Sequence, residues 1–240
     1  MSGLSEIVKR YNSWGWKYFF IDFYEYKLKY KYSKYIPGEL AMKKMLDDYS
    51  FETVLDVGCG DGAASLFFKR NGKVVTACDY GRSVHFEDNM ADDVIIGDFN
   101  TLHFDKQYDA LWCSHVLEHQ LNVQQFLEKI NSLILDGGVL GITVPRMKNE
   151  IVGGHVSLWN PGLLLYRLVL AGFDCSEASV LCYGYNISVV VKKKTISTLN
   201  ELSYDRGDLI IISRYLPKDI KSRPVDRDIS FNGNLKKINW

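Results

Sequence analysis

Three carboxylates and three glycines stand close together early in the chain: Asp56-Val57-Gly58-Cys59-Gly60-Asp61-Gly62, then Asp79, 21 residues beyond Gly58. Without a Cβ the backbone can turn sharply at the glycines and a ligand can approach it closely. The spacing Gly58-x-Gly60-x-x-Ala63 fits the dinucleotide fingerprint, in which a pyrophosphate sits on the turn. Charge decides against that ligand, because Asp56 and Asp61 would set carboxylates beside two phosphates and repel them. A cationic ligand suits the loop better. Asp79 ends the next apolar run, where a carboxylate can accept from both hydroxyls of a ribose. Five histidines (His85, His103, His115, His119, His155) are candidates for moving a proton near neutral pH, since imidazole titrates near about 6.5.

These groups need a sheet to hold them. From residue 51 to about 145 apolar runs alternate with helical patterns, which predicts a parallel sheet with helices on both faces. The expected strands are 53–57, 73–79, 94–96, 108–113 and 139–144, with ligands at their carboxyl ends. A helix is expected over 121–134, stopped by Asp136-Gly137-Gly138, and another begins at Asn160-Pro161. Runs 173–180 and 186–192, joined through Cys182-Tyr183-Gly184-Tyr185, predict an antiparallel pair because the link is so short. Residues 209–215 read as one more strand, and 217–240 as a polar, basic end, loosely ordered or docked on the surface. Before the glycine loop, Ala41, Met42, Met45, Leu46 and Tyr49 mark an amphipathic helix. Ile7, Tyr11, Trp14, Tyr18 and Ile21 fit one helical face. Residues 24–32 alternate like a strand while Phe20, Tyr24, Leu28 and Tyr32 align like a helix, so strand, helix and substrate lid all stay open there.

The stretch Asp56-x-Gly58-x-Gly60 resembles the first motif of the class I S-adenosylmethionine-dependent methyltransferases. S-adenosylmethionine carries a sulfonium, an ammonium and no phosphate, as the loop's charge requires. Five parallel strands followed by an antiparallel pair resemble that family's doubly wound, seven-stranded Rossmann-like sheet, with its last strand inserted antiparallel. The resemblance covers residues 50–192 and implies a cofactor cradle from Asp56, Gly58, Cys59 and Gly60, then Asp79 and Tyr80. Asp98-Phe99 resembles the place where an acid accepts from the adenine amino group and an apolar neighbour meets the ring. Cys113-Ser114 follow on the cofactor side, and Val116-Leu117-Glu118-His119 resembles the V-L-E-H segment of small-molecule methyltransferases. His155, in Gly153-Gly154-His155-Val156-Ser157-Leu158-Trp159, resembles the family's G-H-x-x-x-aromatic segment and is the expected general base. The alternative there is that His155 fixes its loop by hydrogen bonding. His115 is the next candidate, and Glu118 and His119 are as suited to orienting the loop as to touching substrate.

Composition bounds the rest. The chain's 240 residues, 47% hydrophobic and 24% charged, suit one soluble α/β domain with additions: a cap at 1–50, the cofactor domain at 51–195 and an extension at 196–240 packed on it. No apolar run approaches a membrane span, and Lys9, Arg10, Lys17 and Asp22 interrupt any leader-like stretch, so a cytoplasmic location is expected. Five cysteines without a C-x-x-C pair indicate neither disulfides nor zinc. A metal-assisted route would need carboxylates near the acceptor, and Asp92 and Asp93 precede the third strand on the wrong edge; no metal is expected. Basic charge gathers at the two ends, with eleven basic against six acidic residues in 192–240, unlike the uniformly basic surface of a nucleic-acid binder. The acceptor expected is therefore a small molecule, held by Tyr11, Trp14, Trp159 and Arg146. O-methylation of a sugar hydroxyl, on a nucleotide sugar in surface-polysaccharide synthesis, is the first reading; a quinone or phenol acceptor and a non-catalytic binding module are the alternatives. A homodimer stays open.

Overall fold

The structure is a computed structural model and describes residues 36–86, 91–196, 199, 202–205, 207–221 and 230–240. Two units divide the chain at Ile36/Pro37, and every described element belongs to the second. The expectations for residues 1–35, including Tyr11 and Trp14 as substrate contacts, lie outside the described residues.

The elements alternate as the apolar pattern requires. They run α1 (Glu39–Asp48), β1 (Thr53–Val57), α2 (Ala63–Arg70), β2 (Val74–Asp79), β3 (Val94–Ile96), β4 (Tyr108–Ser114) and a 3-10 turn at Leu117–His119. After these come α3 (Val123–Leu133), β5 (Ile134–Pro145), α4 (Pro161–Leu170), β6 (Ser179–Tyr183) and β7 (Asn186–Lys192). The chain closes with α5 (Asp208–Ile212), a 3-10 turn at Ser213–Tyr215, α6 (Lys218–Lys221) and β8 (Lys237–Ile238). One sheet holds all the strands in the order β3-β2-β1-β4-β5-β7-β6-β8. Neighbours from β3 to β5 pair parallel; β7 runs antiparallel between β5 and β6. Strand order reverses between β1 and β4, the switch point beside which doubly wound sheets bind ligands.

The core fixes that switch point in place. Leu55, Leu111, Leu140, Ile142 and Val189 are fully buried across β1, β4, β5 and β7. On one face α3 contributes Phe126, Leu127 and Ile130 and α4 contributes Leu164, Leu165 and Leu168, all at zero exposure. On the other face α1 lies so close that a Cβ on Gly141 would overlap Met45 and Trp112. Asn122 caps α3 through Gln125 N–H, and Asn160 caps α4 through Leu163 N–H ahead of Pro161, as the cap residues predict.

Several elements depart from the expected pattern. The sheet has eight strands rather than seven, because β8 pairs with β6 through Val180 and Leu181; of the end expected to be loose or docked on the surface, 237–238 join the sheet, and Leu235 and Ile238 are buried. Residues 209–215 are helical, not extended: Leu209 and Ile212 are buried on α5, Leu216 and Ile220 are buried after it, and Asp208 accepts from Ser203 N–H and Oγ–H. Helix α3 ends at Leu133, one residue from the expected 134, but Asp136-Gly137-Gly138 lie inside β5, which begins directly at Ile134; Lys193 Nζ donates to the Asn131 and Ile134 carbonyls at 2.8 and 2.7 Å and satisfies the helix end. The run from Phe173 holds a single bridge to Thr195, then an Asp174–Ser176 turn, so β6 starts only at Ser179.

Candidate active site

The carboxyl ends of β1, β2 and β4 meet at the glycine loop. Gly58 N–H and Cys59 N–H both donate to the Cys78 carbonyl, at 2.8 and 3.1 Å, which ties the loop to β2. Gly58 lies at φ +70°, and a Cβ there would overlap Val116, so only glycine fits. Asp79 is largely buried, 9% exposed, and accepts from Gly60 N–H through one oxygen (3.0 Å) and from Gly81 N–H through the other (2.8 Å). Tyr80 is half exposed beside it, under the Arg82 guanidinium. Above Gly60 the space is open, the nearest atom to a built Cβ being His85 Cβ at 4.0 Å.

Asp56 is buried below this loop, not in it. Ser65 Oγ donates to Asp56 Oδ2 at 2.6 Å and fastens β1 to α2. Burial pushes the Asp56 carboxyl up to about 7, against the lowering by the Ser65 hydroxyl and with the nearby Asp79 and Asp61 charges adding to the rise. Asp61 accepts from Ala63 N–H at the start of α2. Asp98 is held by Asn100, whose backbone and side-chain N–H groups both reach Asp98 Oδ1. Phe99 is turned into the core, its ring 5.0 Å from that of Phe126, and Cys113 is fully buried with its thiol pushed well up by burial. Neither side chain opens on the cradle. Ser114 Oγ donates to the Pro37 carbonyl at 3.2 Å.

The chain leaves β4 through His115, whose φ of +55° lies in the left-handed region and turns the backbone toward the 3-10 turn. Its Nε2 lies 2.8 Å from Asn186 Oδ1, its Nδ1 lies 3.3 Å from Glu118 Oε1, and its ring stacks on Tyr185. Burial alone would lower its pKa, but the contacts with Glu118 and Asn186 outweigh burial and the net shift is upward. With both nitrogens engaged, His115 is anchored, whereas His155 stands at a cavity wall.

That cavity, of about 240 Å³, lies under the loop from β5 to α4. Met147 N–H donates to the Trp159 carbonyl at 2.9 Å and closes the loop on itself. Val156 N–H donates to the Glu118 carbonyl at 2.8 Å, pinning the loop to the 3-10 turn. Met147, Val152, Val156 and Leu158 give apolar walls; Arg146, Lys148 and His155 give polar ones. Trp159, 2% exposed, also lines it, and its indole N–H has no acceptor among the described residues. His155 packs edge-on against His119, ring centroids 5.0 Å apart, and Glu118 lies beneath them at zero exposure. Of the expected site residues the structure thus brings Arg146, Trp159 and His155 to one cavity. Tyr185 and Asn186 had no local signal, since they reach His115 across some 70 residues of chain.

The cradle's charge fits a cationic cofactor: no lysine or arginine occurs from Asp56 to Phe68, while Asp61 and Asp79 set carboxylates at the loop. A model of the methyltransferase domain matches residues 24–165. The chain belongs to that family, among the class I S-adenosylmethionine-dependent methyltransferases. The ubiquinone biosynthesis O-methyltransferase of Rickettsia conorii is 32% identical over 129 residues, 50% of this chain and 45% of that protein. Its counterpart from Rickettsia bellii is 32% identical over 124 residues, 48% of this chain and 52% of that protein. The chain spans about half the length of the curated relatives it matches. The same fold occurs in the 1,6-didemethyltoxoflavin-N1-methyltransferase of Burkholderia thailandensis, solved with S-adenosylhomocysteine (TM-score 0.56, 16% identity, 72% of this chain and 86% of that one). It recurs in the N-methyltransferase NodS of Bradyrhizobium japonicum (TM-score 0.52, 13% identity, 65% and 85%). Among the described residues no helix is long and apolar enough to cross a membrane.

Proposed function

We propose that the chain methylates a hydroxyl on an aromatic ring, of the kind that quinone precursors carry, with S-adenosylmethionine as donor and S-adenosylhomocysteine as product. The cavity carries this reading. Its apolar walls, Met147, Val152, Val156 and Leu158 with Trp159 beside them, and its volume of about 240 Å³ suit an aromatic ring. The ubiquinone-pathway relatives support the same acceptor class, and the nucleotide-sugar and polysaccharide expectations have no support among them.

The cofactor supplies a methyl group on a positively charged sulfur. Asp79, beside Gly60 and Tyr80, would hold its ribose, and the acidic surroundings favour its positive charge. The acceptor needs an aligned oxygen that loses its proton near neutral pH. His155, with His119 and Glu118 behind it, faces that oxygen from the cavity wall. The indole N–H of Trp159 can donate to a second ring oxygen, and Arg146 and Lys148 can meet a carboxylate on the ring.

Mass spectrometry of the protein with S-adenosylmethionine and two panels, dihydroxybenzoates and other catechols against nucleotide sugars, tests the reading. A gain of one methyl group on a catechol, with the sugars unchanged, is expected. A methylated sugar and unchanged catechols would overturn it.

A further inference from the structure

Helix α4 begins where the cavity loop ends, and the first turn of any helix leaves its N–H groups without intrahelical partners. Here Pro161 brings no N–H, Leu163 N–H goes to the Asn160 side chain, and Leu164 N–H goes to the Asn160 carbonyl. That leaves Gly162. Its N–H donates at 2.9 Å to the carbonyl of Gly233, some 70 residues further along the chain. A segment remote in sequence therefore completes the cap of the helix that follows the cavity.

The two backbones meet closely at this point. A Cβ on Gly162 would stand 2.4 Å from Gly233 Cα and 2.8 Å from the Phe231 ring, and a Cβ on Gly233 would stand 2.5 Å from Asn160 Oδ1. Neither glycine has a positive φ, so what each supplies is room and not an unusual backbone conformation. Beyond Gly233 the segment is fastened to β6. The Lys236 carbonyl accepts from Cys182 N–H at 2.9 Å, the Asn239 carbonyl accepts from Ser179 Oγ at 2.6 Å, and Leu235 and Ile238 are buried. Trp159, in the cavity wall, comes just before the turn so held, and its carbonyl takes the Met147 N–H that closes the loop.

We propose that Gly162 and Gly233 are positioning residues for the acceptor cavity: their close contact lets residues 231–240 hold the first turn of α4, and with it Trp159 and the loop back to Met147, against β6. The donor cradle is outside this linkage, since β4, β5, β7 and β6 all lie between β1 and β8. A side chain at either glycine should therefore disturb the acceptor and spare the cofactor. The kinetic consequence rests on the O-methylation reading; the structural one does not.

Gly162→Ala in the full chain is the main test. Alanine favours a helix more than glycine does, so a loss here comes from pushing the C-terminal segment away and not from helix propensity. Trp159 is read by acrylamide quenching, as the difference between each protein and the same protein carrying Trp159→Phe. Its fluorescence, shielded in the parent, is expected to lose that shielding in Gly162→Ala. The catechol kcat/KM should fall about a hundredfold, as a misplacement of about 1 Å can cause, while S-adenosylhomocysteine affinity stays within about twofold. Gly233→Ala, which presses only on the Asn160 side chain, should act in the same direction and more weakly. Asn234→Ala, at an exposed residue of the same segment, should match the parent. Trp159 as shielded in Gly162→Ala as in the parent, or cofactor affinity falling together with catechol turnover, overturns the proposal. Should Gly162→Ala fail to fold, Gly233→Ala decides by the same readings. A parent that methylates no catechol removes the O-methylation reading, and the quenching comparison then judges the proposal alone.

Discussion

The two ends of the active site are built in different ways. At the cofactor end, a few consecutive residues bond to the next strand: the Gly58 and Cys59 N–H groups reach Cys78, and the Gly60 N–H reaches Asp79. At the acceptor end, the parts come from 115–119, from the 147–159 loop and from Tyr185 and Asn186, which meet only in the folded sheet. The first end depends on backbone shape, and at Gly58 it admits no side chain. The second depends on side-chain chemistry carried on loops, where such groups change most readily.

Substitutions on either side should separate the two. Gly58→Ala is expected to do the greatest damage, because the new Cβ overlaps Val116 and φ is positive. S-adenosylhomocysteine affinity, read by calorimetry, should fall at least about a hundredfold and the melting temperature should drop, the strain being of order 1–3 kcal/mol before the overlap is counted. His155→Ala should leave that affinity within about twofold while turnover on a catechol falls by about 10²–10⁴-fold. Turnover that is unaffected would remove His155 from the chemistry.

The smallest effect is expected below the cradle. Because burial raises Asp56 to about 7 from an ordinary 3.8, the folded chain holds this proton more tightly than the unfolded chain. The stability so gained is complete below about pH 4 and is lost as pH rises through 7. Asp56→Asn should flatten the fall in melting temperature over that range, with Ser65 still able to donate to the amide oxygen. A slope as steep as the parent's would assign it to other groups.

The same contrast explains what the sequence reveals. Gly58 to Gly62 reads directly as a sharp turn between β1 and α2, because the glycine spacing and the positive φ angles are the same fact, whereas the burial of Asp56 beneath it does not show in the sequence. Phe99 does not, since the adenine position that the motif implies says nothing of Phe104 and Phe126, which draw the ring into the core. The run at 209–215 is rich in β-branched residues and looks extended, yet Leu209 and Ile212, three residues apart, are buried while Ile210 is exposed, the spacing of a helix. Glu118 is visible as a residue, but its complete burial beside His115 is not, because burial is a property of the whole fold.

The bond between Met147 and Trp159 lets the chain return to its starting point after thirteen residues. Whatever lies between those two anchors can lengthen, shorten or change its lining, since a longer closed loop costs little extra entropy and neither β5 nor α4 has to move. Acceptor preference can therefore drift through descent at this one segment, while the part of the molecule that recognises the donor is inherited intact.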